Sequence, residues 1–313
     1  MSEDNPFATD YSLRDSVIVE ARGLKLAEPP RFAKKYGSEK TSYEPLSLSL
    51  WERVICPGDV ICDVGSHHGI YSLVAAHSRK AKVIYAYEPV KENVAFLKNN
   101  ARLNGLDRQI TAYNIALSNK VGEVPLQITK ASDNANIKGH PNSPTLRIVP
   151  VKTSTLDSDF ANSKLDLIKI DTDGYEPYIL DGAINTFKNN PQLRMLVEVN
   201  PKCLRRNKFN PLRFLERLKG LGFELFLIDD INNTISQITN RQAVWSEIVK
   251  TPFFYNILCL PSKDRHGIKD FKKIIKKMLA NNEIANAMLD RDYPKVWPRQ
   301  PLLRLTSKLS RRN

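Results

Sequence analysis

Cysteine is scarce, with four in 313 residues (Cys56, Cys62, Cys203 and Cys259) and no C-x-x-C spacing. That excludes a disulfide framework and a zinc finger and suits a reducing compartment. Cys62 and Cys259 lie in apolar runs and read as small buried hydrophobes. Glycine is sparse too, at 13, and the 19 prolines follow no period, which excludes collagen-like and low-complexity chains. No apolar run reaches the roughly 18 residues of a membrane-spanning helix. The first residues, from Met1 to Pro6, are polar and acidic and lack both the basic and the apolar region of a secretion signal, so a cytoplasmic location is expected. Also missing are G-x-G-x-x-G and a Gly-Lys-Ser/Thr loop, so a pyrophosphate-bearing ligand is not indicated.

The chain has an ordinary globular composition, 42% hydrophobic and 26% charged. Its net charge of +13 is uneven. Residues 263–313 hold 14 Lys and Arg against 5 Asp and Glu, leaving the first 262 residues at only +4. A basic tail on a near-neutral body points to an anionic membrane surface or a polyanion at the tail, and makes nucleic acid an unlikely partner for the body. Within the tail, Phe271, Ile274, Ile275, Met278 and Leu279 share one helical face, with Lys272, Lys273, Lys276 and Lys277 around them. Such a helix either packs on its own domain or lies on anionic lipid.

Apolar runs alternate with amphipathic segments. Strands are expected at 60–64, 83–87, 110–117, 165–170, 193–199, 224–228 and 253–260. Helices are expected at 43–55, 70–78, 91–103, 178–187 and 211–221. The pattern implies an α/β protein with a mostly parallel sheet covered on both faces. Residues 121–151 break the pattern and read as a hairpin whose polar loop, 129–144, carries His140 as a lid candidate. Residues 1–40 read as a loose or partly helical lead-in.

Three strand ends carry chemistry. The first strand runs into Asp63-Val-Gly65-Ser-His67-His68-Gly69, where Gly65 permits a sharp turn and close approach to a ligand, and Gly69 lets the next helix pack tightly. The second ends in Glu88-Pro89, about 25 residues on, where an acid accepts hydrogen bonds from ribose hydroxyls. The fourth ends in Asp171-Thr172-Asp173-Gly174-Tyr175-Glu176, three acids facing the same crevice. Each has a plainer reading: a turn without a ligand, or acids that merely start the next helix. Asp171, Glu198 and Asn200 end adjacent strands and offer oxygen ligands to a hard metal, though no pattern demands one.

Taken together, these pieces resemble the FkbM family of S-adenosylmethionine-dependent methyltransferases, over about residues 50–201. The resemblance is carried by Pro57-Gly58-Asp59, Asp63-Val64-Gly65-Ser66-His67, Gly69, Tyr71 and Glu88-Pro89. It continues through Ala116-Leu117-Ser118, Thr155-Leu156-Asp157, Lys169-Ile170-Asp171, Gly174, Glu176, Leu180, Gly182-Ala183 and Glu198. His68, Asp173 and Tyr175 depart from the family pattern. The resemblance implies a Rossmann-like methyltransferase fold with a seven-stranded sheet and helical N- and C-terminal extensions, divided as lead-in 1–42, methyltransferase domain 43–262 and basic extension 263–313. It implies S-adenosylmethionine as cofactor, held by Asp63, Gly65, His67, Gly69, Glu88, Asn114, Ala116 and Asp171. It also implies O-methylation of a small-molecule or glycan acceptor. His67, His68, Asp171, Asp173 and Glu176 are the catalytic candidates, with each His equally able to serve as a structural hydrogen-bonder. An RNA methyltransferase and a non-catalytic nucleotide-binding module are the alternatives.

Overall fold

The computed structural model describes residues 13–34, 43–129, 145–239 and 254–262, together with 273 and 275. Arg22 and Gly23, at φ 54° and 73°, turn the chain between β1 (Val17–Ala21) and β2 (Leu24–Glu28), an antiparallel pair. Two left-handed loop residues give the turn whose twist suits a two-residue hairpin. Leu24 and Leu26 enter the core while Lys25 faces out. This antiparallel pairing overturns the expected helical N-terminal extension: apart from a 3-10 turn at Leu13–Asp15 and the four-residue α1 (Pro30–Ala33), the described lead-in is a β-hairpin. The helix α2 (Pro45–Val54) follows, its first turn capped from afar by Asp230, whose Oδ1 accepts from the Leu46 and Ser47 amides at 2.8 and 2.9 Å.

The main sheet then builds in alternation with helices: β3 (Val60–Val64), α3 (Ile70–His77), β4 (Val83–Tyr87), α4 (Lys91–Leu103) and β5 (Ile110–Tyr113). The third expected strand stops early. Asn114 turns out of the sheet, and β6 (Ala116–Leu117) pairs instead with a separate hairpin, β7 (Gly122–Thr129) and β8 (Thr145–Ser154). The polar loop and His140 lie outside the described residues. Next come α5 (Leu156–Phe160), β9 (Leu167–Ile170), α6 (Glu176–Asp181), α7 (Ile184–Asn189) and β10 (Arg194–Val199). One helix was expected where α6 and α7 stand. Gly182 and Ala183 divide them, and Asp157 accepts from the Asn185 and Thr186 amides to start α7 afresh. The described chain continues with α8 (Pro201–Arg206), α9 (Pro211–Gly220), β11 (Phe223–Asp229), β12 (Thr234–Gln237) and β13 (Tyr255–Pro261).

The strand order is β12-β11-β13-β10-β9-β3-β4-β5. The five strands from β10 to β5 are parallel to one another, while β13 runs antiparallel between β10 and β11. The expected seven strands are present, and β12, a short edge strand, makes eight among the described residues. Ile61 and Ile84 pack in one core cluster and Val60, Cys62 and Val64 in another, so alternate side chains feed both faces of the sheet. Leu24 and Leu26 join the first cluster, as does Ile275, which is fully buried and helical. That one residue ties the basic extension to the core; the rest of the extension, Lys273 aside, lies outside the described residues.

Candidate functional site

The carboxyl ends of the parallel strands line up in register. Tyr113 pairs with Tyr87, Tyr87 with Val64, Val64 with Ile170, Ile170 with Val197, and Glu198 with Asn256. The next residue along each parallel strand therefore falls on one row across the sheet edge: Asn114, Glu88, Gly65, Asp171 and Glu198. In open α/β sheets this edge is where ligands bind. A cavity of about 280 Å³ opens over it. Its walls include Gly65, His67, His68, Glu88, Ala116, Asp171, Asp173 and Glu198, with Tyr43, Phe32, Tyr175 and Phe254 adding aromatic surface.

Gly65 carries φ 75°, and a Cβ built there would lie 1.8 Å from the Asp171 carbonyl oxygen. The close approach read from the sequence is thus first to the neighbouring strand's backbone. Gly69, at φ 93°, faces Leu97, which a Cβ would meet at 2.8 Å; it packs α3 against α4, as expected, and does not line the cavity. Asp63 also sits behind the cavity wall, fully buried, its Oδ2 accepting from the Ser72 hydroxyl at 2.6 Å. Burial raises its pKa against the pull of Lys169.

Glu88 is buried at the cavity wall. It accepts from the His67 amide at 2.9 Å on Oε2, and from the Val90 amide and Asn93 at 2.9 and 3.2 Å on Oε1. Burial raises its pKa, and those donors oppose the rise. Asn114, expected near a ligand, does not line the cavity. Its amide donates to the carbonyls of Glu88 and Pro89 at 3.0 and 2.7 Å and so fixes the Glu88 turn. Ile115, Ala116 and Leu117 supply the wall there.

The fourth strand end divides its three acids. Asp171 lines the cavity and accepts from the Lys169 ammonium at 2.8 Å. Lys169 stands 4.4 Å from the centroid of the Tyr71 ring; burial opposes its charge, but Asp171, Asp63 and Glu44 outweigh burial and raise its pKa. Asp173 lines the cavity at φ 53°. Glu176 does not line it. Its Oε1 accepts from the Thr172 amide, the Thr172 hydroxyl and the Gly174 amide, so it folds the acidic turn, and it is removed from the catalytic candidates. Burial pushes its pKa up to about 7.

Both histidines line the cavity, stacked on each other at 3.8 Å between centroids. His68 stacks on Phe96 as well, and its Nδ1 lies 2.5 Å from Glu28 Oε2, both side chains being 2% exposed. Phe32 meets both imidazoles edge-on. Sequence reasoning missed Glu28, because it rides on the unexpected hairpin. It gave Lys169 no role either, although a lysine inside an otherwise apolar strand was a visible signal.

A metal is poorly served. Asn200 Oδ1 caps α8, accepting from the Lys202 and Cys203 amides at 3.2 Å. Among the described residues no three His, Cys, Asp or Glu side chains converge to hold a metal ion. No described helix is long and apolar enough to cross a membrane.

Among solved structures, the chain is similar to an FkbM methyltransferase from Methylobacillus flagellatus at 12% identity and TM-score 0.41, covering 64% of this chain and 43% of that one. It is similar to an S-adenosylmethionine-dependent O-methyltransferase from Thermotoga maritima at 12% identity and TM-score 0.41, covering 81% and 80%. It is likewise similar to an rRNA methylase from Streptococcus thermophilus at 12% identity and TM-score 0.40, covering 69% and 95%. Over residues 63–225 the sequence matches the model of the methyltransferase FkbM domain. That stretch holds the glycine turn, the Glu88 turn, the acidic turn and Glu198, and with it spanning more than half of the sequence, the chain belongs to the FkbM family of methyltransferases, whose methyl donor is S-adenosylmethionine.

Proposed function

We propose that the protein transfers the methyl group of S-adenosylmethionine to a hydroxyl of a small acceptor, such as a carbohydrate or another secondary metabolite. The observation that carries this reading is the row Glu88, Gly65, Asp171 and Glu198 along one cavity. The residues fit the donor. The three donors on Glu88 leave room on a carboxylate with about four acceptor sites, so a ribose hydroxyl has a partner there. Gly65 leaves the floor of the cavity free of a side chain, and Asp171 offers negative charge beside it for the amino group. The donor supplies an already activated methyl group, so the chain's own work is positioning and proton removal.

Two observations bear on the acceptor. The aromatic walls from Tyr43, Tyr175 and Phe254 suit the faces of a compact organic molecule. Asp173 makes the end beyond Asp171 acidic, which disfavours a phosphate backbone and with it the RNA reading. Incubation with methyl-labelled donor and panels of sugars, polyols and structured RNA tests this. Label is expected on a hydroxyl compound. Transfer to RNA alone, falling steeply with salt, would overturn the acceptor class, and no transfer despite donor binding would favour a non-catalytic module.

A further inference from the structure

Glu198 stands apart from the other carboxylates at the cavity. It is 7% exposed and lines the cavity wall, yet among the described residues no hydrogen bond or ion pair reaches its carboxyl group. The other cavity carboxylates are engaged: Asp171 by Lys169, Asp173 by the Cys203 thiol, Glu88 by three donors, and Glu28 by His68. Its carboxyl oxygens are not among the fully enclosed unpartnered atoms, so they open onto the cavity, where an entering ligand can reach them. Its place is set by the sheet, one strand beyond Asp171 and two beyond Gly65, on the side away from Glu88.

We propose that Glu198 faces the reacting centre, gives up a proton when the sulfonium cation enters the cavity, and as a carboxylate then takes the proton of the acceptor hydroxyl. This rests on the methyltransferase reading above. In the step, the acceptor oxygen bonds to the methyl carbon. The carbon–sulfur bond breaks and its electron pair stays on sulfur, leaving a neutral thioether. The hydroxyl proton passes to Glu198. The surroundings support the first part. Burial, then Asp171, Asp173, Glu176 and Glu44, hold the Glu198 proton to higher pH than an ordinary glutamate keeps it. Cys203 on α8 is a further titratable neighbour, and Lys169 on β9 acts on Glu198 through its ion pair with Asp171. An incoming positive charge favours the ionised form, which makes a base of the group only when the donor is in place.

The test compares S-adenosylmethionine with S-adenosylhomocysteine, which has the same amine and carboxylate but a neutral sulfur. Calorimetric titration of the full chain in buffers of different ionisation enthalpy counts the protons exchanged. Greater proton release is expected with the sulfonium ligand than with the thioether, and this difference disappears in Glu198→Gln while thioether affinity is kept. Equal release for the two ligands, or a difference that survives in Glu198→Gln, overturns the proposal. Because the wild-type comparison needs no variant, a misfolded substitution does not obscure it. If neither ligand binds the wild type, the methyltransferase reading falls first and this one with it. With an acceptor from the carbohydrate panel, Glu198→Gln is expected to lower kcat by about 10²–10⁴-fold, Glu198→Asp to recover part of it, and an unchanged kcat overturns the assignment.

Discussion

At the scale of single residues, Glu88 does two things at once. It lines the cavity where the proposed reading places the donor's ribose, and it ties the His67 amide and the start of α4 together. Losing hydrogen bonds to a charged acceptor costs about 1.5–3 kcal/mol, so Glu88→Ala should weaken S-adenosylmethionine binding by roughly ten- to over a hundredfold. Calorimetric affinity unchanged in a folded variant would remove Glu88 from the site. Glu176 gives a second prediction, about stability. Its pKa rises from the 4.5 of an ordinary glutamate to about 7 in the folded chain, chiefly through burial. Between those values the folded state holds more protons than the unfolded one, so its contribution to stability falls as pH rises through that window and levels off above it. Glu176→Gln keeps an oxygen for the Thr172 and Gly174 amides and should flatten that part of the stability profile. Urea denaturation from pH 4 to 8 checks it; an unchanged slope would contradict the assignment.

At the scale of elements, the N-terminal hairpin is more than a lead-in. Through Glu28 it delivers a buried partner to His68, one of the three positions read from the sequence as departures from the family pattern. Glu28→Ala leaves a buried imidazole nitrogen without its partner, and the cost expected is about 1–3 kcal/mol. Replacing both groups by apolar ones, Glu28→Leu with His68→Ile, should recover much of that loss, because no polar atom is left stranded. Additive losses in the double variant would contradict this account. The hairpin also shows where the sequence was legible. The sheet strands β3, β4, β9 and β10 are mostly apolar runs, broken only by single charged residues such as Asp63, Lys169 and Glu198 and closed by glycine, proline or acid, a signal that survives without tertiary information. The pair β1 and β2 offers Arg22-Gly23 as its turn, a weak hairpin signal, and only β2 is deeply buried, so the period of two is faint. Thr234–Gln237 has a single apolar residue and owes its strand character to pairing with β11. In the site, Glu88, Asp171 and the glycine turn could be read from their spacing. The division of the acids into Asp171 and Asp173 at the cavity and Glu176 behind it depends on side-chain direction, which spacing does not encode.

At the scale of the whole molecule, the uneven charge and the buried Ile275 pull in different directions. The basic extension looked detachable by composition, with chemistry confined to residues before 202. Ile275 is nevertheless part of the core cluster that holds Leu24, Trp51 and Leu258. Ile275→Ala should therefore cost about 2–5 kcal/mol, the range for truncating a buried isoleucine, and a chain ending at residue 262 should melt earlier for the same reason. A melting temperature unchanged by Ile275→Ala would show that the extension does not rest on the core. The central claim, that the cavity at the carboxyl edge of the sheet holds a methyl donor, is tested most directly by titrating S-adenosylmethionine into the full chain, with NAD and ATP as controls. The account predicts saturable 1:1 binding of the donor that competes with S-adenosylhomocysteine and is weakened by Glu88→Ala, and no comparable binding of NAD or ATP. Donor binding that is absent, or indifferent to Glu88→Ala, would contradict it.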